Sequence, residues 1–136
     1  MKHFFWPVRI YYEDTDSGGV VYYANYLKFM ERARTEWLRI LGFEQDVLAR
    51  DCNVLFVVRA VQIDYLQPAR FNDLLQVMTK VIEVRQASLV FQHQVIDIKK
   101  DLLLCQGRIR IVCVHADILK PKQIPGKILA EVVVDQ

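Results

Sequence analysis

The apolar positions of this chain change period more than once. From Phe4 to Tyr12 aromatic and β-branched residues dominate, which predicts a strand. Pro7 near its start puts that strand at a sheet edge or at a bulge. A polar stretch, Glu13-Asp14-Thr15-Asp16-Ser17-Gly18-Gly19, ends it as a turn. The period then becomes helical. Tyr26, Phe29, Met30, Ala33, Trp37, Ile40 and Leu41 fall on one stripe, which predicts a single long amphipathic helix. Asn25 is a candidate N-cap, although the helix could begin as early as Val20. Gly42 suits a left-handed residue just past the helix end.

Short helical turns are expected from Glu44 to Arg50. The period then falls to that of strands: Val54 to Tyr65, Leu74 to Arg85, Ser88 to Ile98 and Leu102 to Val114. The turns at Arg85-Gln86-Ala87 and Lys99-Lys100-Asp101 are short enough to join antiparallel neighbours. Pro121 and Pro125 mark an irregular stretch, and the tail from Ile128 to Val134 has no clear period. A sheet with one apolar face must cover it, and one helix is long enough to do so. The expected fold is α+β, an antiparallel sheet around one central helix in a single domain spanning residues 1–136.

Composition narrows the class of protein. With 136 residues, 53 % hydrophobic and 25 % charged, the chain reads as one globular unit, slightly on the apolar side. A second copy covering apolar surface is the natural explanation of that excess. The net charge of +2 does not favour nucleic acid, whose binding rests on many phosphate contacts. The three cysteines, Cys52, Cys105 and Cys113, are widely spaced and show no metal-finger pattern. Cys105 and Cys113 sit in an apolar run and read as buried reduced thiols, which points to a reducing compartment. The N-terminus meets Arg9, Glu13 and Asp14 too soon for a signal peptide. No stretch offers the ~18 apolar residues of a membrane span. The expected location is therefore cytoplasmic, without membrane insertion.

The segment from Tyr12 to Tyr26 holds the candidate chemistry. Two aspartates and two glycines lie between a strand and a helix start. A helix N-terminus offers free N–H donors and partial positive charge for a developing oxyanion. A carboxylate beside it can serve as base or nucleophile. Other readings of D-x-D-x-G-G remain: a solvated turn, a calcium loop or an aspartyl phosphotransferase. The calcium loop has Gly18 and Asn25 where ligands are needed. The phosphotransferase belongs to parallel α/β scaffolds, unlike the antiparallel pattern here.

The stretch VRIYYEDTDSGGVVYYANYLKFMERARTEWL resembles the signature of the 4-hydroxybenzoyl-CoA thioesterase family. Within it the chain is most similar to the bacterial acyl-CoA thioesterases associated with the Tol–Pal envelope system. FVVRAVQIDYLQPAR and RQASLVFQHQVID continue the similarity, which runs from Trp6 to about Pro125. The resemblance implies the hotdog fold and hydrolysis of an acyl-CoA thioester to a carboxylic acid and free CoA. It makes Asp16 the catalytic carboxylate, as nucleophile or general base, and the backbone N–H of Tyr23 the main oxyanion donor. Gly19 would allow close approach of backbone to ligand, and Arg85 and Ser88 would contact the CoA nucleotide. Many Tol–Pal-associated members carry His where Tyr23 stands, so a side-chain role for that His is lost here while the backbone donor survives.

No metal and no cofactor beyond the CoA of the substrate is implied. The expected assembly is a homodimer or homotetramer whose sites draw on two chains, with acyl carrier protein a further candidate partner. A non-catalytic adaptor that binds acyl-CoA or acyl carrier protein is the competing reading, and the intact Asp16 favours the enzyme. His3, His93 and His115 are scattered and read as strand or surface residues. Glu31 and Arg34 read as packing or interface groups on the helix, and Arg59, which interrupts an apolar strand, reaches either a ligand or a partner acid.

Overall fold

The computed structural model describes residues 2–135. Within them β1 (Phe4–Arg9), β2 (Val54–Tyr65), β3 (Leu74–Val84), β4 (Ser88–Asp97) and β5 (Leu102–His115) form one antiparallel sheet. The strand order is β1-β3-β4-β5-β2. The long helix α1 (Asn25–Ile40) buries Tyr26, Phe29, Met30, Ala33 and Trp37 against that sheet. A shorter helix, α2 (Gln45–Cys52), packs on β2, and α3 (Gly126–Glu131) closes the chain. This is the α+β hotdog arrangement expected from the residue pattern. No described helix is long and apolar enough to cross a membrane.

The expected stripe on α1 is correct for five of its seven positions. Ile40 is 64 % exposed, and Leu41 is half-buried. Leu38 is buried in their place. α1 also packs against α2, so its buried positions need not continue one line to the helix end. Gly42 has φ +101 and ends the helix as anticipated.

Two boundaries differ from the sequence reading. The first strand stops at Arg9, because Tyr12–Asp14 coil into a 3-10 turn. The Asp14 carboxylate accepts the Tyr11 N–H at 2.9 Å and closes that turn. Tyr12 then swings out to stack on Phe71 at 3.7 Å. The tail is helical at its start, and Val134 makes a parallel bridge to Val81. Pro7 lies on an edge strand, where its missing N–H costs no ladder bond. Arg59 falls at the register shift between Val58 and Ala60, so it occupies a β-bulge.

One cross-strand row shows how α1 comes so close. Thr79, His93, Gly107 and Ile63 lie side by side on β3, β4, β5 and β2. A Cβ on Gly107 would stand 3.1 Å from Sδ of Met30. The missing side chain is what lets Met30 seat in the sheet. His93 beside it is fully buried. Its Nε2 accepts a hydrogen bond from Arg34 at 3.1 Å, so Nδ1 carries the proton and donates to Thr79 Oγ1 at 3.0 Å. All three cysteines are free, with Cys105 and Cys113 buried, and burial pushes the Cys105 thiol up to about 12.

Burial, helped by the charge of Arg34, pushes His93 down to about 3. The unfolded chain binds that proton near pH 6.5 and the folded chain does not. Stability from this site is therefore complete above pH 6.5 and is lost as pH falls toward 3, at up to about 1.4 kcal/mol per pH unit. Urea midpoints measured between pH 7 and 4 should fall steeply for the parent and more gently for His93→Gln. Parallel curves would show that other groups carry the acid sensitivity.

Candidate active site

The loop between β1 and α1 is a small hairpin built from backbone bonds. Asp16 N–H donates to Val20 O at 2.9 Å, and Tyr22 N–H donates to Asp14 O at 2.9 Å. Thr15 and Val21 form the bridge between those rungs. With side chains alternating, the buried Val21 faces the core while Asp14, Asp16 and Tyr22 share the other face. The four residues from Asp16 to Gly19 make the turn, closed by Gly19 N–H to Asp16 O at 3.0 Å.

Asp16 is exposed, and its Oδ1 accepts the Gly18 N–H at 2.8 Å. Its second oxygen has no partner among the described residues. Gly18 is packed close to the carboxylate, since a Cβ there would lie 3.2 Å from Asp16 Oδ1. Gly19, the glycine singled out from the sequence, supplies the left-handed residue of this turn. Its φ is +78 and nothing lies within 4 Å of the place a Cβ would take. It turns the chain and leaves the space beside it open.

The hairpin is bolted to its surroundings at three points. Asn25, the first residue of α1, donates from Nδ2 to Asp14 O at 2.9 Å. Val21 N–H donates to Ala69 O at 2.9 Å, and Ala69 N–H in turn donates to the Tyr26 hydroxyl at 3.1 Å. Tyr65, the last residue of β2, donates from its hydroxyl to Tyr23 O at 2.9 Å. The N–H of Tyr23 has no acceptor among the described residues. A loop carboxylate and an unclaimed N–H donor at a helix start therefore belong to one rigid unit. Next to them an open trough is lined by Val21, Tyr23, Tyr26, Tyr65 and Leu66.

Arg85 and Ser88 lie elsewhere. β1 ends where β3 begins, with Arg9 opposite Leu74, so the Asp16 loop sits at the start of β3. Arg85 follows its other end. Eleven strand residues span about 33 Å, so a single chain does not bring Asp16, Gly19 and Tyr23 together with Arg85 and Ser88. At that far end Arg85 donates to Glu83 Oε1 at 3.2 Å. Arg110 donates to Glu83 Oε2 at 2.6 Å and to Ser88 Oγ at 3.1 Å. The guanidinium of Arg110, with that of Arg85, holds the Glu83 carboxyl below its ordinary range. Two arginines share one acid, which leaves one positive charge in excess.

Sequence reasoning missed Tyr65 and Arg110, and the contacts that Gly18 and Asn25 make. Only Arg110 carried a visible signal, since Arg108 and Arg110 alternate with Ile109 and Ile111 as outward positions on a buried strand. Tyr65 is defined by a partner 42 residues away, whereas Asn25 and Gly18 meet partners 11 and two residues before them.

Gly19→Ala should destabilise the protein by about 1–2 kcal/mol, the cost of a left-handed residue with a Cβ. No neighbour would be displaced, so thermal unfolding should show a modest drop. A large drop would mean that the turn is packed more tightly than its geometry indicates.

The family model described as thioesterase-like superfamily matches residues 11–132. The acyl-CoA thioester hydrolase YbgC of Escherichia coli is 45 % identical over 128 residues, covering 94 % of this chain and 94 % of the relative. Among solved structures, a probable thioesterase from Bartonella henselae superposes with a TM-score of 0.85 at 31 % identity, over 90 % of this chain and 99 % of that one. 4-Hydroxybenzoyl-CoA thioesterase from Pseudomonas sp. strain CBS-3 reaches a TM-score of 0.89 at 19 % identity, over 96 % and 99 % of the two chains, a likeness of fold. The family match spans most of the chain, from just before the hairpin to the end of α3, and on that extent the chain belongs to the thioesterase-like superfamily.

Proposed function

We propose that this protein hydrolyses acyl-CoA thioesters, with Asp16 as the reacting carboxylate and the Tyr23 N–H as an oxyanion donor. The observation that carries the reading is the hairpin itself. It holds an exposed carboxylate, anchored at one oxygen by Gly18 and free at the other, beside an N–H with no acceptor at the start of α1. The free oxygen either attacks the thioester carbonyl, releasing CoA thiolate and leaving a mixed anhydride for water to open, or takes the proton of an attacking water. Both routes give a carboxylic acid and CoA. In both, the negative charge on the carbonyl oxygen grows toward the helix N-terminus. The 45 % identity to a relative named as an acyl-CoA thioester hydrolase supports the substrate class.

The working unit is at least a homodimer, joined through β2. The two sheet edges are unlike. β1 has six residues and carries Pro7, whereas β2 has twelve residues and no proline. Val57, Val58 and Val61 on β2 are 38 %, 52 % and 43 % exposed. A long apolar edge of this kind is a template for another strand. Antiparallel pairing of β2 with its own copy sets Tyr65 of one chain beside Val54 of the other. Tyr65 holds the Asp16 hairpin, and the Arg85–Ser88 turn lies at the Val54 end, since Ser88 pairs Val112, which pairs Val57. Each hairpin would then face Arg85, Ser88 and Arg110 of the second copy, whose surplus charge suits a nucleotide phosphate. Acyl carrier protein as an alternative acyl donor, and a cytoplasmic location, belong to the same reading.

Asp16→Asn should leave folding intact and lower thioester turnover by roughly two to four orders of magnitude. Asp14→Asn is the control. Its side chain only closes the Tyr11 turn, and an amide oxygen still accepts that bond. Release of free thiol from short, long and aromatic acyl-CoAs measures both. Near-normal turnover in Asp16→Asn, with loss in Asp14→Asn, would transfer the chemistry to the first aspartate. If the parent hydrolyses no acyl-CoA, a binding role replaces the enzyme.

Val61→Lys tests the assembly. A charge in the middle of the β2 edge should shift the protein to a 16.0 kDa species in light scattering and reduce activity with it. A parent that is already monomeric at micromolar concentration, or a fully active monomeric variant, would remove the two-chain site.

A further inference from the structure

α1 carries one cation on its inner side that the reaction does not use. Arg34 is half-buried and donates from Nη1 to the neutral His93 at 3.1 Å. Its Nε and Nη2 have no partner among the described residues, and no carboxylate lies within ion-pair distance of it. No buried side-chain nitrogen lacks a hydrogen bond among the described residues, so these two atoms open to accessible space. Arg34 lines a small chamber of about 80 Å³, open to solvent, between α1 and the sheet. Its walls are mainly apolar, with Trp37, Leu38, Phe56 and Phe91 among them, and Thr35 and Gln45 add polar groups. Burial pushes Arg34 down to about 10, with exposed Glu31 acting against it, so the group stays charged at neutral pH.

A half-buried cation whose one hydrogen-bond partner is a neutral ring keeps its remaining donors free for another acceptor. The free edge of Arg34 is the Nε–Nη2 side of the guanidinium, the fork that binds a carboxylate through two parallel bonds. The chamber also lies where an acyl chain can reach it. Phe56 and Val58 are near the Val54 end of β2, which meets Tyr65 and Tyr23 of a second copy when the edges pair. We propose that Arg34 binds a carboxylate at the far end of the acyl group, so that the chamber selects acyl-CoA thioesters whose chain ends in a carboxylate. The inference rests on the thioesterase reading and on β2 pairing. Glu31, exposed near the mouth, disfavours anions that stop short of Arg34, so the preference depends on chain length.

The test compares kcat/KM for chain-matched pairs: succinyl- with butyryl-CoA, adipoyl- with hexanoyl-CoA, and suberoyl- with octanoyl-CoA. For at least one pair the parent should favour the carboxylate-ended substrate about tenfold or more, as a hydrogen-bonded charge allows. Arg34→Met should erase that preference while leaving the methyl-ended substrate within a few-fold. No preference at any length in the parent would overturn the proposal. So would an equal loss on both members of a pair in a variant that stays dimeric. Should Arg34→Met not fold, inhibition of the parent by free dicarboxylates decides: they should compete better than monocarboxylates of equal length, and equal inhibition overturns the assignment. A parent that hydrolyses none of the six thioesters fails the thioesterase reading instead. Thermal shifts with adipate against hexanoate would then judge Arg34 alone, and equal shifts would overturn it.

Discussion

One helix has to serve a sheet of five strands. A helix with its side chains is about 10 Å wide, and five strands at their usual spacing extend about 19 Å. α1 lies closest to β3 and β1, and Gly107 lets Met30 sink further in. The middle of β2 is left uncovered. An exposed edge, an open chamber behind it and apolar residues on the strand all follow from that mismatch of widths. The proposed second copy would cover that gap, and the candidate site lies along the same edge.

The hairpin before α1 converts that geometry into chemistry. Its aspartates are held by backbone rungs, and its helix end by Asn25 and Tyr65. The two anchors come from different places, one from α1 itself and one from the end of the β2 edge. The carboxylate and the donor are thus oriented by the same elements that form the proposed contact between chains. Pairing of β2 would steady Tyr65 and, through it, the Tyr23 peptide. Buried polar groups elsewhere follow the same economy: His93 is neutral and bonded at both nitrogens, and Arg34 keeps one edge open.

Local pattern was enough for the element order, the inner face of α1 through Trp37 and the left-handed Gly42, because these depend on side-chain period and on backbone sterics. It was also enough to mark Asp14, Asp16 and the two glycines as a turn before a helix. It was not enough to sort the glycines. Gly18 and Gly19 look alike as letters, yet one touches a carboxylate and the other takes a left-handed φ. Ile40 was placed inside because period alone does not say how far the buried stripe of a helix extends.

By itself the sequence determined the fold class, the place of the candidate chemistry and the family resemblance, all properties of residues near one another in the chain or spaced at a fixed period. Only the tertiary structure decided which distant residues share a site. Tyr65 meets Tyr23, Arg34 meets His93, and Arg110 joins Glu83 and Ser88 through strand register. The same register put Arg85 at the opposite end of β3 from Asp16. Such separations are set by how antiparallel strands pair, a long-range choice that no local pattern of polar and apolar residues encodes.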